Sequence, residues 1–157
     1  MSRRHLEQTL EPGTDREYHG SRVVYADSRA AVRSAVVEAC AVVVLDAAMV
    51  REHPDAVRWL VTMTAETVVA VVGDVPEPLA DLAETRLDAP VTESSVEALV
   101  DRHEDRRAYV DAVDRYYRAV ERGASRRKLD AARAATDESA ATLDAADRRA
   151  VLDAIGG

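Results

Sequence analysis

Two aspartates that follow short apolar runs are the side chains best placed for chemistry. Asp46 ends the run Val42–Leu45, and Asp27 comes shortly after the run Val23–Tyr25. In open α/β sheets, ligands bind beyond the carboxyl ends of the strands. A carboxylate there can act as a nucleophile or hold a hydrated Mg²⁺, and it can equally cap the helix that follows. Asp27 and Asp46 are therefore candidates for a weak Mg²⁺ site and, alternatively, for helix caps.

The other reactive side chains form no recognisable motif. The four histidines are dispersed and lack the spacing of a zinc site. Cys40 is the only cysteine, which excludes an intrachain disulfide and favours a small core residue over a nucleophile. The glycine patterns of Rossmann and P-loop nucleotide sites do not occur. We therefore expect no cofactor, with Mg²⁺ relevant only if Asp46 is functional.

The elements that would position these aspartates alternate between strands and helices. Short β-branched runs predict strands at 23–25, 41–45 and 67–72, with a further short strand near 86–87. Apolar residues at three- and four-residue steps predict helices over 28–39 and 54–63, and a short helix can form at 79–84. The alternation predicts an α/β fold with a small parallel sheet of three to four strands and flanking helices.

A heptad pattern begins after this α/β region. Its positions are Val96, Leu99, His103, Arg106, Val110, Val113, Tyr117 and Val120. The last four, which we call the seam, lie too far along a helix to reach the core that Val96 reaches, so they need another partner. Gly123 ends this helix, and further helical stretches at 125–135 and 142–155, separated around 137–139, predict a C-terminal helical hairpin or coiled coil. Dimerisation is the simplest way to cover the seam.

These patterns divide the chain into three parts. We expect a poorly ordered tail over 1–20, an α/β domain over 21–103 and a helical domain over 104–157. The apolar runs are too short to span a bilayer, and no apolar segment follows the N-terminal arginines as a secretory signal requires. We therefore expect a cytoplasmic protein with no membrane partner.

Composition adds a hint about the cellular setting. The net charge is −8, and Lys128 is the only lysine among 21 basic residues. Acid excess, lysine depletion and small apolar residues resemble the proteins of extreme halophiles such as haloarchaea, with a GC-rich genome as the alternative explanation. In molar salt the Debye length falls to about 3 Å, so the acidic surface screens itself and does not exclude nucleic acid as a partner.

In this order, the motifs resemble a known family. Val42–Met49 resembles the phosphoacceptor strand of a response-regulator receiver domain, in which a strand ends in Asp followed by x-x-Met. Thr67–Gly73 resembles the fourth strand of a receiver, and Asp88–Thr92 resembles the loop before its last helix. Arg106–Tyr109 and Arg115–Tyr117, with the Ala-, Glu- and Arg-rich tail, resemble the HalX domain that follows receivers in haloarchaea.

The resemblance implies a degenerate receiver. Its phosphoacceptor would be Asp46, but its lysine position holds Ala89, and its hydroxyl position falls at Val72 or Gly73. The resemblance also implies that one βα unit is missing. Because receivers have the strand order 2-1-3-4-5, loss of the edge strand leaves a contiguous sheet, and strand 23–25 should then pair beside strand 41–45. For the acid pair that holds Mg²⁺, only Asp27 remains.

We therefore expect a non-catalytic protein of signal transduction or transcriptional control that acts through protein contacts. The seam would bind a protein partner or a second copy, in a pathway that could include a histidine kinase. One alternative is a receiver that is phosphorylated on Asp46 with Mg²⁺. Another is a nucleic-acid-associated regulator, for which the basic patch Arg126–Lys128 is the densest candidate, although a solvated helix start explains that patch equally well.

Overall fold

The structure is a computed structural model that describes residues 9–63, 66–75, 85–144, 147 and 151. The chain divides into two compact units, Met1–Asp101 and Arg102–Gly157, which we call the sheet unit and the helical unit. The division falls inside one long helix, close to the boundary that we expected after residue 103. The short helix expected at 79–84 lies outside the described residues, as does most of the segment 142–155.

Within the described residues, seven strands form two sheets. The strands are β1 (Thr9–Leu10), β2 (Asp15–Tyr18), β3 (Ser21–Ala26), β4 (Val42–Asp46), β5 (Val68–Val72), β6 (Thr85–Leu87) and β7 (Val91–Thr92). The larger sheet has the order β2-β3-β4-β5-β6, in which β3 to β6 are parallel and β2 is antiparallel to β3. The smaller sheet pairs β1 with β7. The predicted α/β class is confirmed. The larger sheet has five strands instead of the three to four expected, and it is mostly rather than wholly parallel, because the antiparallel strand β2 extends its edge.

The predicted neighbours in this sheet are also confirmed. Val23 pairs with Val42 and Tyr25 pairs with Val44, so strand 23–25 lies directly beside β4. All five side chains of β5 are buried, as expected for a strand that is covered on both faces.

The expectation of a poorly ordered tail is wrong for residues 9–20. Tyr18 and Ser21 are paired across a two-residue connection, and both of its residues, His19 and Gly20, have positive φ. This is the conformation that a type I′ hairpin turn requires. Leu10 and Tyr18 are buried in the sheet unit, and their burial holds the segment in place.

Five helices are described in full. They are α1 (Arg29–Val37), α2 (Ala47–Glu52), α3 (Pro54–Met63), α4 (Glu93–Glu121) and α5 (Arg126–Ala141). The helices predicted over 28–39 and 54–63 are confirmed, and the Ser28 hydroxyl caps α1 by accepting from the Ala31 N–H at 3.1 Å. The prediction that the helix breaks at 137–139 is wrong, because α5 continues through these residues. Asp137 and Glu138 are exposed there, where polar side chains cost a helix little.

Helices cover both faces of the larger sheet. Val32 of α1 and Leu60 of α3 lie with α2 in the buried cluster on one face. Val96 and Leu99, from the first turns of α4, lie in the cluster on the other face, together with residues of β1 and β7. At the centre of the sheet, Val42 to Leu45 are fully buried between these layers. The sheet therefore carries the carboxyl end of β4, and Asp46 with it, to the boundary of the core.

In the helical unit, α5 folds back along the second half of α4. Gly123, with φ of 68°, follows the end of α4, and Ser125 caps the start of α5. The Thr136 hydroxyl donates to the Ala112 carbonyl at 3.3 Å, which places the middle of α5 beside α4. This part of the chain is a helical hairpin. Among the described helices, none combines the length and the apolar character that crossing a membrane requires.

Candidate functional site

Asp46 is the last residue of β4 and the N-cap of α2. Its Oδ1 accepts from the Ala48 N–H at 3.3 Å, and its backbone is extended, with φ of −70° and ψ of 144°. This is the usual N-cap arrangement, in which a side-chain oxygen satisfies a backbone donor that the first helical turn leaves unpaired. Asp46 is half-buried and lies in register with Val72 of β5. The structure thus places the carboxylate at the sheet edge and uses it as a cap.

The neighbouring strands bring other side chains to the same edge. Val72 is buried, and Gly73 after it has φ of 97° and donates from its N–H to the Leu87 carbonyl at 3.3 Å. A Cβ at Gly73 would lie 3.4 Å from the Cβ of Ala47. Ala89 follows β6 and is joined to Pro90 by a cis peptide bond. Neither a hydroxyl nor an amine is supplied by Val72, Gly73 or Ala89.

Asp27 lies beyond the end of β3 and is exposed. The turn before β2 lies against it, because the Gly13 N–H donates to the Tyr25 carbonyl at 2.8 Å and a Cβ at Gly13 would come within 3.2 Å of Asp27 Oδ2. Asp27 does not cap α1, since the side chain that does so is that of Ser28. The helix-cap interpretation of Asp27 is therefore wrong.

Negatively charged side chains lie near the ends of β3 and β4. Burial raises the pKa of Tyr25, and the negative charges of Asp46 and Glu11 raise it further. Across the described ranges, however, no group of three or more histidine, cysteine, aspartate or glutamate side chains is arranged to hold a metal ion. Asp27 and Asp46 alone could offer Mg²⁺ two carboxylates, with water supplying the remaining ligands.

The seam on α4 is divided between half-buried and exposed positions. Val110 and Val113 are half-buried, whereas Tyr117 and Val120 are 58% and 47% exposed. The α4 side chains that line the groove facing α5 are Tyr109, Val113, Tyr116 and Tyr117. Two seam residues, Val113 and Tyr117, thus line this groove, while Tyr117 and Val120 remain largely exposed. Tyr116 contacts Tyr117 edge to face, with ring centroids 5.9 Å apart.

Sequence reasoning missed a buried ion cluster in the helical unit. Arg106 is fully buried, and its Nε donates to Oδ1 of Asp147 at 2.7 Å. Arg102 donates from Nη2 to the same oxygen at 2.9 Å. Asp144 accepts from the Asp147 N–H at 2.8 Å and so fixes that backbone. The available signal was an arginine at an apolar heptad position, because such a residue is buried only when a carboxylate pairs with it.

Two further side chains, Cys40 and Trp59, have neighbours that are typical of structural residues. Cys40 is buried in the sheet unit, and its carbonyl accepts from the Thr67 hydroxyl at 2.7 Å. Burial raises the pKa of Cys40 to about 11, so the thiol is neutral at physiological pH. Trp59 is 40% exposed and lies beside the ion pair of Arg29 and Asp55, at the groove between α1 and α3.

Comparisons of the chain with models of protein families, with characterised proteins and with solved structures find no match. The resemblance to receiver and HalX domains therefore stays a prediction. What the geometry itself supplies is a capping aspartate at the sheet edge, a buried ion cluster and two exposed apolar side chains on a helical hairpin.

Proposed function

We propose that this chain is a non-catalytic protein of signal transduction or transcriptional control, similar to a phosphorylation-deficient response regulator with a HalX-like tail. The observation that carries the proposal is the arrangement at Asp46. Its carboxylate caps α2, while the adjacent strand ends present Val72, Gly73 and Ala89. A protein of this kind would act in the cytoplasm by binding other proteins.

Phosphoryl transfer to an aspartate requires positive charge around the attacking carboxylate. An incoming phosphoryl group brings negative charge to the attacking carboxylate, and metal ions and cationic side chains must neutralise it. Tyr25 already experiences the negative charges of Asp46 and Glu11. Aliphatic side chains at the neighbouring strand ends do nothing to offset this charge. A receiver that responds to protein contact instead of phosphorylation does not need its negative charge to be neutralised.

The order of strands in the larger sheet supports descent from a receiver. The parallel strands β3 to β6 follow the order that remains when the edge strand of a receiver is removed. The antiparallel strand β2 lies on the free side of β3, which is the vacated edge. A short hairpin thus stands where the missing βα unit would add its strand.

The seam on α4 is the surface that we assign to protein contact. Tyr117 and Val120 are large, exposed apolar side chains of α4, and Tyr117 also lines the groove between α4 and α5. Tyrosine is among the residue types that most often anchor protein interfaces. The bound protein would be a pathway partner, such as a histidine kinase or a regulator, or a second copy of the chain.

The proposal is tested by incubating the full chain with a small phosphodonor, such as acetyl phosphate, and Mg²⁺ in multimolar KCl. We expect intact-mass spectrometry to show no phosphoryl adduct on the wild type. The matched control is Asp46→Asn, which keeps a capping oxygen but cannot form an acyl phosphate. An adduct on the wild type that is lost in Asp46→Asn would overturn the proposal and establish the phosphorylatable alternative.

The nucleic-acid alternative has its own measurement. Binding through phosphate contacts weakens steeply as salt rises. Fluorescence anisotropy with duplex DNA in multimolar KCl should therefore show no binding by the wild type. Binding that persists there and falls in Lys128→Glu would favour the nucleic-acid alternative over the protein-contact proposal.

A further inference from the structure

Among the residues that the structure describes, helix α5 contacts the rest of the chain through one face. Its half-buried positions are Leu129, Ala132, Thr136, Ser139 and Ala140. They share the face on which the Thr136 hydroxyl reaches the Ala112 carbonyl of α4. No residue of α5 is fully buried, so this contact covers the helix only in part.

The opposite face carries four exposed residues at heptad spacing. They are Arg127, Ala131, Ala134 and Glu138, which we call the outer stripe. Steps of four, three and four residues bring them to one side of a helix that turns about 100° per residue. Two small alanines at the centre would let another helix approach closely, with a charged side chain at each end.

The charges along α5 run against the helix dipole. Basic residues Arg126, Arg127 and Lys128 stand in the first turn, and Asp137 and Glu138 stand near the carboxyl end. A helix favours the reverse order, because its amino end is partly positive and its carboxyl end partly negative. An antiparallel neighbour with the same sequence would place acidic side chains beside the basic turn, and basic side chains beside the acidic end.

We propose that two copies of the chain associate through the outer stripes of their α5 helices, antiparallel and related by a twofold axis. With the axis between Ala132 and Arg133, Arg127 of each copy lies level with Glu138 of the other. Ala131 likewise lies level with Ala134. The contact is isologous, since each pair occurs twice.

The charge pattern selects a second copy over another kind of partner. The outer stripe is complementary to itself once it is reversed, whereas an unrelated helix would need its own matching charges at both ends. Screening in molar salt weakens distant charges most, and the two Arg127–Glu138 pairs are direct contacts. One helix pair buries little area, so we expect a weak dimer that forms with rising concentration.

The first test is sedimentation velocity of the full chain in multimolar KCl over a range of protein concentrations. We expect Arg127→Glu and Glu138→Arg each to lower the association constant by about tenfold or more, because each creates two like-charge contacts in the dimer. The double variant restores opposite charges and should recover association. All of these positions are exposed, and circular dichroism checks that each variant folds.

The matched control is Arg107→Glu, which makes the same charge change on an exposed position of α4. We expect it to leave association unchanged. A second control is Tyr117→Ser, which removes an exposed side chain of the seam. The proposed α5 contact does not depend on the proposed function. If Tyr117→Ser abolishes the dimer and the α5 variants do not, the α5 contact is overturned and the seam is the dimer interface.

The orientation is tested with spin labels on the full chain. In the antiparallel dimer, labels at Arg126→Cys are about 20 Å apart along the helix axes, and labels at Ala135→Cys are much closer. Cys40 is buried and does not compete for the label. Equal distances from the two positions would indicate a parallel pair, and a monomer up to millimolar protein would show that no self-contact forms. Either result would overturn the proposal.

Discussion

The fully buried guanidinium of Arg106 and the buried carboxylate of Asp147 are joined by a hydrogen bond of 2.7 Å from Nε to Oδ1. Arg102 donates to the same carboxylate, so both cations interact with the negative charge of Asp147. Removal of one partner from a buried ion pair is far more costly than loss of an exposed pair, because water cannot replace the interaction that the remaining buried charge loses. The carboxylate of Asp147 is therefore the most stability-sensitive polar group that we identify in the helical unit.

We predict that Asp147→Asn lowers the free energy of unfolding by about 3 kcal/mol, because Arg106 would stay buried beside a neutral amide. Chemical denaturation in multimolar KCl, followed by circular dichroism, measures the change. The control is Asp114→Asn, which removes the exposed partner of Arg118 and should have little effect. Equal losses in the two variants would contradict a special role for the buried cluster.

We predict that Arg106→Met combined with Asp147→Leu is less destabilising than Asp147→Asn alone. The double variant removes both buried charges, and Arg102, which is partly exposed, can turn to solvent. Replacement of a buried ion pair by apolar side chains of similar volume is often close to neutral. A double-mutant cycle measures the coupling, and simple addition of the two single effects would contradict this view of the cluster.

We predict that Asp147 makes the protein sensitive to acid. Burial alone would raise the pKa of this carboxyl, but hydrogen bonds from Arg102 and the charge of Arg106 outweigh burial and hold the pKa below its usual range. A lowered pKa contributes stability above the unfolded value of about 3.9, and this contribution is lost as pH falls through the folded value. Unfolding free energies measured down a pH series should fall less steeply in Asp147→Asn than in the wild type.

The matched comparison for this acid series is Asp15→Asn. Arg22 also lowers the pKa of Asp15, mainly through a side-chain hydrogen bond, but this pair is exposed. Solvent screening reduces the effect of an exposed pair on stability. An acid profile that changes more in Asp15→Asn than in Asp147→Asn would show that burial does not decide the pH dependence.

We predict that Asp46→Ala destabilises the sheet unit by about 1 kcal/mol, and that Asp46→Asn does so much less. The first change removes the oxygen that accepts from the Ala48 N–H, whereas asparagine retains a capping oxygen. Thermal and denaturant unfolding measure both variants. Equal losses would mean that the negative charge of Asp46, rather than its capping hydrogen bond, stabilises the folded chain.

We predict that the stability of the protein declines at alkaline pH through Cys40. Burial raises the pKa of its thiol to about 11, above the value of about 8.5 in an unfolded chain. A raised pKa gives a contribution that is complete below the unfolded value and is lost as pH rises towards the folded one. Cys40→Ala should flatten this alkaline decline, and an unchanged slope would assign the decline to other groups.

Local patterns predicted some elements closely, and non-local pairing accounts for the others. The helix over Pro54–Met63 was predicted with its bounds, since its proline start and apolar stripe lie within the segment. Strand β2 was missed because its short polar sequence has no strand pattern of its own and is ordered by pairing with β3. The helix α2 was missed because its six residues are too few for a period to show.

The same distinction applies to the candidate site. The capping role of Asp46 was foreseen as one of two alternatives, because the cap depends on the next two residues alone. The pairing of Arg106 with Asp147 was not foreseen, since 41 positions separate them and no spacing rule connects them. The continuation of α5 through Asp137–Ser139 was missed because punctuating residues also occur on exposed helix faces.

The hairpin strand β2 has a consequence for solubility. It lies at the edge of the larger sheet, where unpaired backbone N–H and C=O groups can form hydrogen bonds with a strand of another molecule. Asp15, Arg16 and Glu17 are all exposed on this strand. Neighbouring charges of both signs disfavour the addition of a further strand, because an incoming chain would have to desolvate them or match them. The exposed charges of β2 thereby also protect the sheet against edge-to-edge aggregation.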